Sequence, residues 1–216
     1  MNAFSEHVHG VRGLPVSGPP PKPGRKDQKE ATQRRILEAA RAHFERDGFD
    51  ASSFRAIAEE AGVAVGTVAL HFQDKRGLLH AALYDDLERA IAICLTRGTR
   101  GSLVTRLTAI FEPAYAYYAR RPRLSRTLLE TSLFAPSPWR ERFAGQAWRV
   151  HVRLVEVLEA ARARGELAPH LDVTVCAAAV FSFYYMALIG WVQGQVAAPL
   201  PLFRSMVAQH VKGASS

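Results

Sequence analysis

Between Ser53 and Lys75 the chain carries two hydroxyls (Ser53, Thr67), a guanidinium (Arg55), an imidazole (His71) and an ammonium (Lys75). All of these donate hydrogen bonds to phosphate oxygens or base edges. Nothing beside them suits bond-breaking chemistry. The sequence has no Gly-rich phosphate loop, no GxSxG and no HExxH, and its histidines are scattered, with His7-x-His9 in a Pro/Gly-rich stretch. No pair of carboxylates is arranged for acid–base work. An enzyme is therefore not expected. No catalytic residue or metal ligand is assigned, and no cofactor is implied.

The elements that position these groups read as helices. In FRAIAEEAGVAVGTVALHF, residues 54–72, a helix from about Phe54 to Ala61 sets Ile57, Ala58 and Ala61 on one face, with Ser52 or Ser53 as its cap. Gly62 breaks it, Val63 fills the corner, and a second short helix from Val65 turns Val68 and Phe72 back to the core. The small side chains at Ala58 and Ala61 let the two helices cross closely. This is the pattern of a helix-turn-helix over 53–72, whose second helix is short enough to lie in a major groove.

Helical spacing continues on both sides. Ile36, Leu37, Ala40 and Phe44 recur at steps of three and four, with a stop at Gly48. Beyond the motif we expect a helix from Lys75, capped by Asp74, to about Arg97. Others are expected over 103–120, 122–134, 138–164, 173–193 and 200–211. No stretch alternates long enough for a confident strand, so the expected class is all-α.

The wider run TQRRILEAARAHFERDGFDASSFRAIAEEAGVAVGTVALHFQDKRGLL closely resembles the N-terminal domain of TetR-type (tetracycline-repressor-like) bacterial regulators. The resemblance is carried by ILEAA, Phe44, Gly48-Phe49, IAEEAGV, Gly66-Thr67, His71-Phe72, and Lys75 followed by Leu78-Leu79, and it covers about 30–90. It implies a DNA-binding transcriptional regulator, most simply a repressor. The protein would be an all-helical homodimer whose three N-terminal helices bind a palindromic double-stranded operator while the remainder binds a small-molecule effector. Thr67 and Lys75 match positions that contact phosphates, and Ser53, Arg55, Val65 and His71 complete the expected DNA-binding set. For His71, a role in closing the helix beside Phe72 is the alternative. The chain departs from the family at Ala64, Val65 and Ala69. These changes remove a side-chain cap and leave a face of Val65, Thr67, Ala69, Leu70 and His71, poor in groups for bidentate base contacts. Methyl contacts with thymine, DNA shape, or a basic arm are the remaining readouts.

Three parts follow: a flexible Pro/Gly-rich basic arm over 1–28, the DNA-binding domain over 30–90, and a ligand-binding and dimerisation domain over 91–212. The arm reads as a solvated tail or as a follower of phosphates. The net charge of +8 does not locate the DNA surface. Residues 97–153 hold eleven basic against three acidic residues, while 22–76 hold eleven against nine.

In the second half, aromatic and hydroxyl-bearing side chains on several helices suit a pocket for an apolar or aromatic molecule. Tyr115, Tyr118, Trp148, His151, Phe181 and Tyr184 are the lining candidates, with plain core packing as the alternative for each. Arg120, Arg121, Arg123 and Arg126 read as a solvated basic face, or as a seat for an anionic ligand such as an acylated cofactor. The charge-free stretch Val173–Val192 is long enough for a bilayer, but Thr174, Ser182, Tyr184 and Tyr185 lie within it and no Lys/Arg cluster flanks it. We expect a soluble helix shared between its own core and a dimer partner, hence no membrane and a cytoplasmic protein. Cys94 and Cys176 read as packing residues. The rival readings are an activator or partner-controlled regulator without an inducer and, more remotely, a membrane-anchored helical protein.

Overall fold

The computed structural model describes residues 24–214, and among them every regular element is helical. The order is α1 (Arg25–Arg46), α2 (Phe54–Glu60), α3 (Val65–His71), α4 (Lys75–Thr96), α5 (Leu103–Arg120), α6 (Pro122–Ser132), α7 (Trp139–Ala163), α8 (Val173–Val192) and α9 (Pro199–Ala214). The expected helices are all present, most within one or two residues of their predicted ends. The exceptions are α9, which runs on to Ala214 and not only to Val211, and α1, which starts at Arg25 and not at Glu30. Asp27 reaches back to accept from the Gly24 backbone N–H at 3.1 Å, satisfying an N-terminal donor and starting the helix early. Arg25, Lys26 and Lys29 thus lie on a helix, and the rest of the expected arm, up to residue 23, lies outside the described residues.

Local chemistry sets the other ends. Ser53 caps α2 by accepting from the Ala56 N–H at 3.2 Å, and Asp74 caps α4 through the Gly77 N–H at 2.6 Å. Ser102 and Asp172 do the same for α5 and α8. Between α2 and α3 the backbone turns through Gly62 at φ +63°, a conformation that L side chains rarely adopt.

Packing follows the apolar faces. Ile36, Ala40 and Phe44 of α1, Ile57 and Ala58 of α2, Val68 of α3 and Leu78, Leu79 and Ala82 of α4 are buried together. Burying each large aliphatic chain contributes about 1.5–3 kcal/mol, enough to hold seven-residue helices that would not persist alone. Helix α4 then runs on against α5, α6 and α7, while α5 packs on α9 and α8 lies between α7 and α9. One continuous apolar core joins the two halves.

Candidate DNA-binding face and effector cavity

The second helix of the motif, α3, presents its outer face to solvent. Val65 and Leu70 are 45% and 84% exposed, Ala69 is exposed, and Thr67 and His71 are half-buried. Ala64, the N-cap residue, offers no side-chain acceptor, as the sequence led us to expect. Ser53 and Arg55 are exposed at the start of α2, on the approach to the same face, with the Ser53 hydroxyl engaged in its capping bond. The His71 ring lies 6.1 Å from that of Phe72, tilted against it.

Lys75 sits differently from its expected outward placement. Its ammonium donates to the backbone carbonyls of Asp50 and Ser52, each at 3.1 Å, and lies 4.5 Å from the centre of the Phe49 ring. The first residue of α4 thereby clamps the loop that leads into α2. Sequence reasoning missed this because the Asp50 and Ser52 carbonyls belong to every sequence alike. It also missed Arg35, exposed on α1, whose guanidinium reaches to the edge of the Gly62 turn. A basic residue recurring on the outward face of α1 was the available signal.

A polar cross-link fixes α2 to α1. His43 Nε2 lies 2.8 Å from Glu60 and its Nδ1 lies 2.9 Å from Asp47, while Arg46 pairs with both carboxylates. The Arg46 hydrogen bond, seconded by His43, holds the Asp47 carboxyl below its usual range.

A cavity of about 180 Å³ opens between α4, α5, α6, α7 and α8. Leu87, Ile91 and Cys94 of α4 form one wall, with Phe111, Phe143, Phe181 and Val150 among the apolar residues opposite. Of the predicted lining set, Tyr118, Phe181 and Tyr184 border it. Tyr115 is buried just beyond, donating its hydroxyl to the Tyr184 carbonyl at 3.2 Å. Burial pushes the hydroxyls of Tyr118 and Tyr184 far above their ordinary titration range, so they stay neutral. It likewise pushes the Cys94 thiol up to about 11.

Trp148 and His151 do not belong to this set. Trp148 is 64% exposed and stacks on His151 at 5.5 Å, away from the cavity. The reason is helical phase. Gln146 and Val150, four residues apart, face inward, so Trp148, half a turn from each, faces out.

The basic cluster of Arg120, Arg121, Arg123 and Arg126 does not border this cavity. Arg121 approaches Asp86 at 3.8 Å, and Arg126 donates to the Val192 carbonyl at 3.0 Å. The arginine that does border the cavity is Arg140, which pairs with Glu141 at 3.2 Å and is largely exposed.

A second outward surface belongs to α7 and α8. Trp148 and Val152 on one helix, and Val175 and Met186 on the other, are large apolar residues left in water. Helix α8 is long and apolar enough to cross a membrane by length and composition, yet 44% of its most apolar 18-residue stretch is buried against its neighbours.

The profile described as "Bacterial regulatory proteins, tetR family" matches residues 36–82, which are the C-terminal part of α1, the motif and the start of α4. Over 150 residues the chain is 30% identical to the HTH-type transcriptional repressor Rv1474c of Mycobacterium tuberculosis, covering 69% of this chain and 78% of that one. The chain belongs to the TetR family. It is a DNA-binding transcriptional regulator of the helix-turn-helix type. A second relative is the HTH-type transcriptional repressor KstR of Rhodococcus jostii, 29% identical over 164 residues, or 76% of this chain and 74% of that one. Among solved structures, FadR from Bacillus subtilis in complex with stearoyl-CoA superposes with a TM-score of 0.65 at 20% identity, covering 83% of this chain and 98% of that one. That likeness extends the TetR-type fold through the C-terminal half.

Proposed function

We propose that this regulator is a homodimeric repressor in the cytoplasm, which leaves a palindromic operator when an apolar or aromatic small molecule enters the α4–α8 cavity. One observation carries the reading: α4 lines the cavity with Leu87, Ile91 and Cys94, and the same helix begins at Lys75, the clamp on the motif. A ligand that prefers a shifted α4 alters the motif's placement, and the population moves away from the DNA-bound arrangement. The relatives named as repressors support the direction of control, and the stearoyl-CoA complex of FadR supports control by a small molecule.

On the DNA side, α3 enters the major groove with Val65, Thr67 and His71 at the surface, while Ser53, Arg55 and Arg35 approach the backbone. The apolar face of α3 fits methyl contacts and shape readout better than bidentate hydrogen bonding. Lys75 acts first as the clamp that sets the entry to α2. The domain boundary falls within α4, near residue 90, since its first half packs on α1 and its second half walls the cavity. Dimerisation uses the exposed apolar face of α7 and α8, which pairs two copies so that their α3 helices lie roughly 34–36 Å apart, one turn of DNA. Selection of bound sequences from random DNA tests the reading: a palindrome is expected, and enrichment of an asymmetric single site overturns the dimeric docking.

A further inference from the structure

Gln146 lies in the cavity wall and is 3% exposed. Its Nε2 donates to Glu88 Oε2 of α4 at 2.9 Å, and Glu88 also takes Arg149 at 2.6 Å. Desolvation alone would push the Glu88 carboxyl up, but the hydrogen bonds from Arg149 and Gln146 outweigh it and hold the group below the usual carboxylate range. The carboxylate therefore accepts only, which fixes the orientation of the Gln146 amide: nitrogen toward Glu88, oxygen away from it. That oxygen has no hydrogen-bond partner. The other buried side-chain atoms left unpaired among the described residues, on Glu45, His80 and Arg106, do not border the cavity.

We infer that Gln146 is a specificity residue for the effector, and that the effector is a neutral apolar molecule bearing one hydrogen-bond donor, a hydroxyl in the simplest case. The inference rests on the cavity being the effector site. A buried acceptor without a partner is costly, and a ligand donor that reaches it recovers the loss, whereas a ligand with only acceptors does not. An anionic head group at this point would meet a carbonyl oxygen backed by the Glu88 carboxylate and is disfavoured. At about 180 Å³ the cavity is smaller than the roughly 300–1,000 Å³ of pockets for drug-sized ligands, so an effector of that size has to part its walls. The Gln146–Glu88 bond, beside that of Arg149 to the same carboxylate, ties α7 to α4, so a ligand seated on Gln146 bears directly on the helix that carries the clamp.

Three probes of nearly equal shape separate the possibilities: 2-naphthol, which donates; 2-methoxynaphthalene, which only accepts; and naphthalene, which does neither. Calorimetric titration of the full chain at neutral pH is expected to show 2-naphthol binding about tenfold tighter than 2-methoxynaphthalene. In Gln146→Leu, and in Gln146→Met as a second variant against a folding failure, that preference is expected to fall to about one while naphthalene still binds. Equal binding of all three probes to the unaltered protein overturns the donor rule and leaves the cavity reading standing. So does a preference that survives both substitutions. If no probe binds, the cavity reading fails and takes this inference with it.

Discussion

The clamp at Lys75 makes the sharpest prediction, because a phosphate contact and a structural tie respond differently to salt. Replacing Lys75 with Met keeps most of the aliphatic stem and removes the ammonium. Two hydrogen bonds from a charged donor are lost, at Asp50 and Ser52, together with the contact over Phe49. Such bonds contribute about 1.5–3 kcal/mol each when buried, and a cation over an aromatic face about 0.5–1 kcal/mol when exposed. Lys75 is half-buried and its bond to Asp50 is exposed, so water replaces much of this. The expected net loss is about 2 kcal/mol, or a fall of roughly 4–8 °C in the unfolding midpoint for a chain of this size. Urea and thermal unfolding at fixed protein concentration measure it. Operator affinity is then followed between 50 and 200 mM salt. With Lys75 as a tie, Lys75→Met weakens binding at every salt concentration and leaves the slope of log K against log salt unchanged. With Lys75 as a phosphate contact, the slope drops by about 0.9 per subunit and stability hardly moves. The second pattern refutes the clamp. Arg55→Ala serves as the comparison and is expected to lower the slope without destabilising the fold.

Ala64→Ser supplies a side-chain acceptor for the first-turn N–H groups of α3, of which that of Thr67 already donates to the Ala64 carbonyl at 2.9 Å, and should raise unfolding stability by at most about 1 kcal/mol in a urea titration. Introducing charge on the outward α7–α8 face, as Val175→Glu with Met186→Glu, should convert the proposed dimer to monomer by light scattering while leaving the helical circular dichroism intact; a dimer that persists would move the interface elsewhere. His80, enclosed by Trp139, Phe143 and the Thr131 hydroxyl, has its imidazole held below the ordinary value chiefly by burial. Because the unfolded chain takes up the proton first, its contribution is complete above about pH 6.5 and is lost as pH falls below that value. A His80→Leu variant should show a shallower loss of stability than the unaltered protein between pH 7 and 5.5, and identical slopes would discount the site. Glu166, held below the usual carboxylate range first by Arg106 and then by Arg164, anchors a largely buried guanidinium. Glu166→Gln should cost about 1–3 kcal/mol, with the largest deficit near neutrality and the gap closing as acid protonates the unaltered carboxylate.

Much of this architecture was legible in the sequence because its causes are local. Helix ends at Ser53, Asp74 and Gly62 follow from side-chain caps and a positive φ, and the inward faces of α1 to α4 follow from steps of three and four. The uncapped start of α3 at Ala64 and its apolar outer face were readable for the same reason. The early start of α1 was not, since it turned on a single reach of Asp27 back to the Gly24 N–H.

The cavity proposed for the effector lay further from the sequence. Aromatic composition pointed to the half of the chain that holds this cavity, yet it could not assign faces, so Trp148 and His151 were grouped with Tyr118, Phe181 and Tyr184 although neither borders it. Arg140, not the run of arginines after α5, borders the cavity. The sequence by itself determined the class, the motif and the helices, because each rests on contacts between near neighbours. Only the tertiary structure decided that Lys75 closes on the loop before α2 and that Gln146 meets Glu88 in the wall of a cavity. Those partners are 23 to 58 residues apart, and no local periodicity records which of the many buried faces will meet.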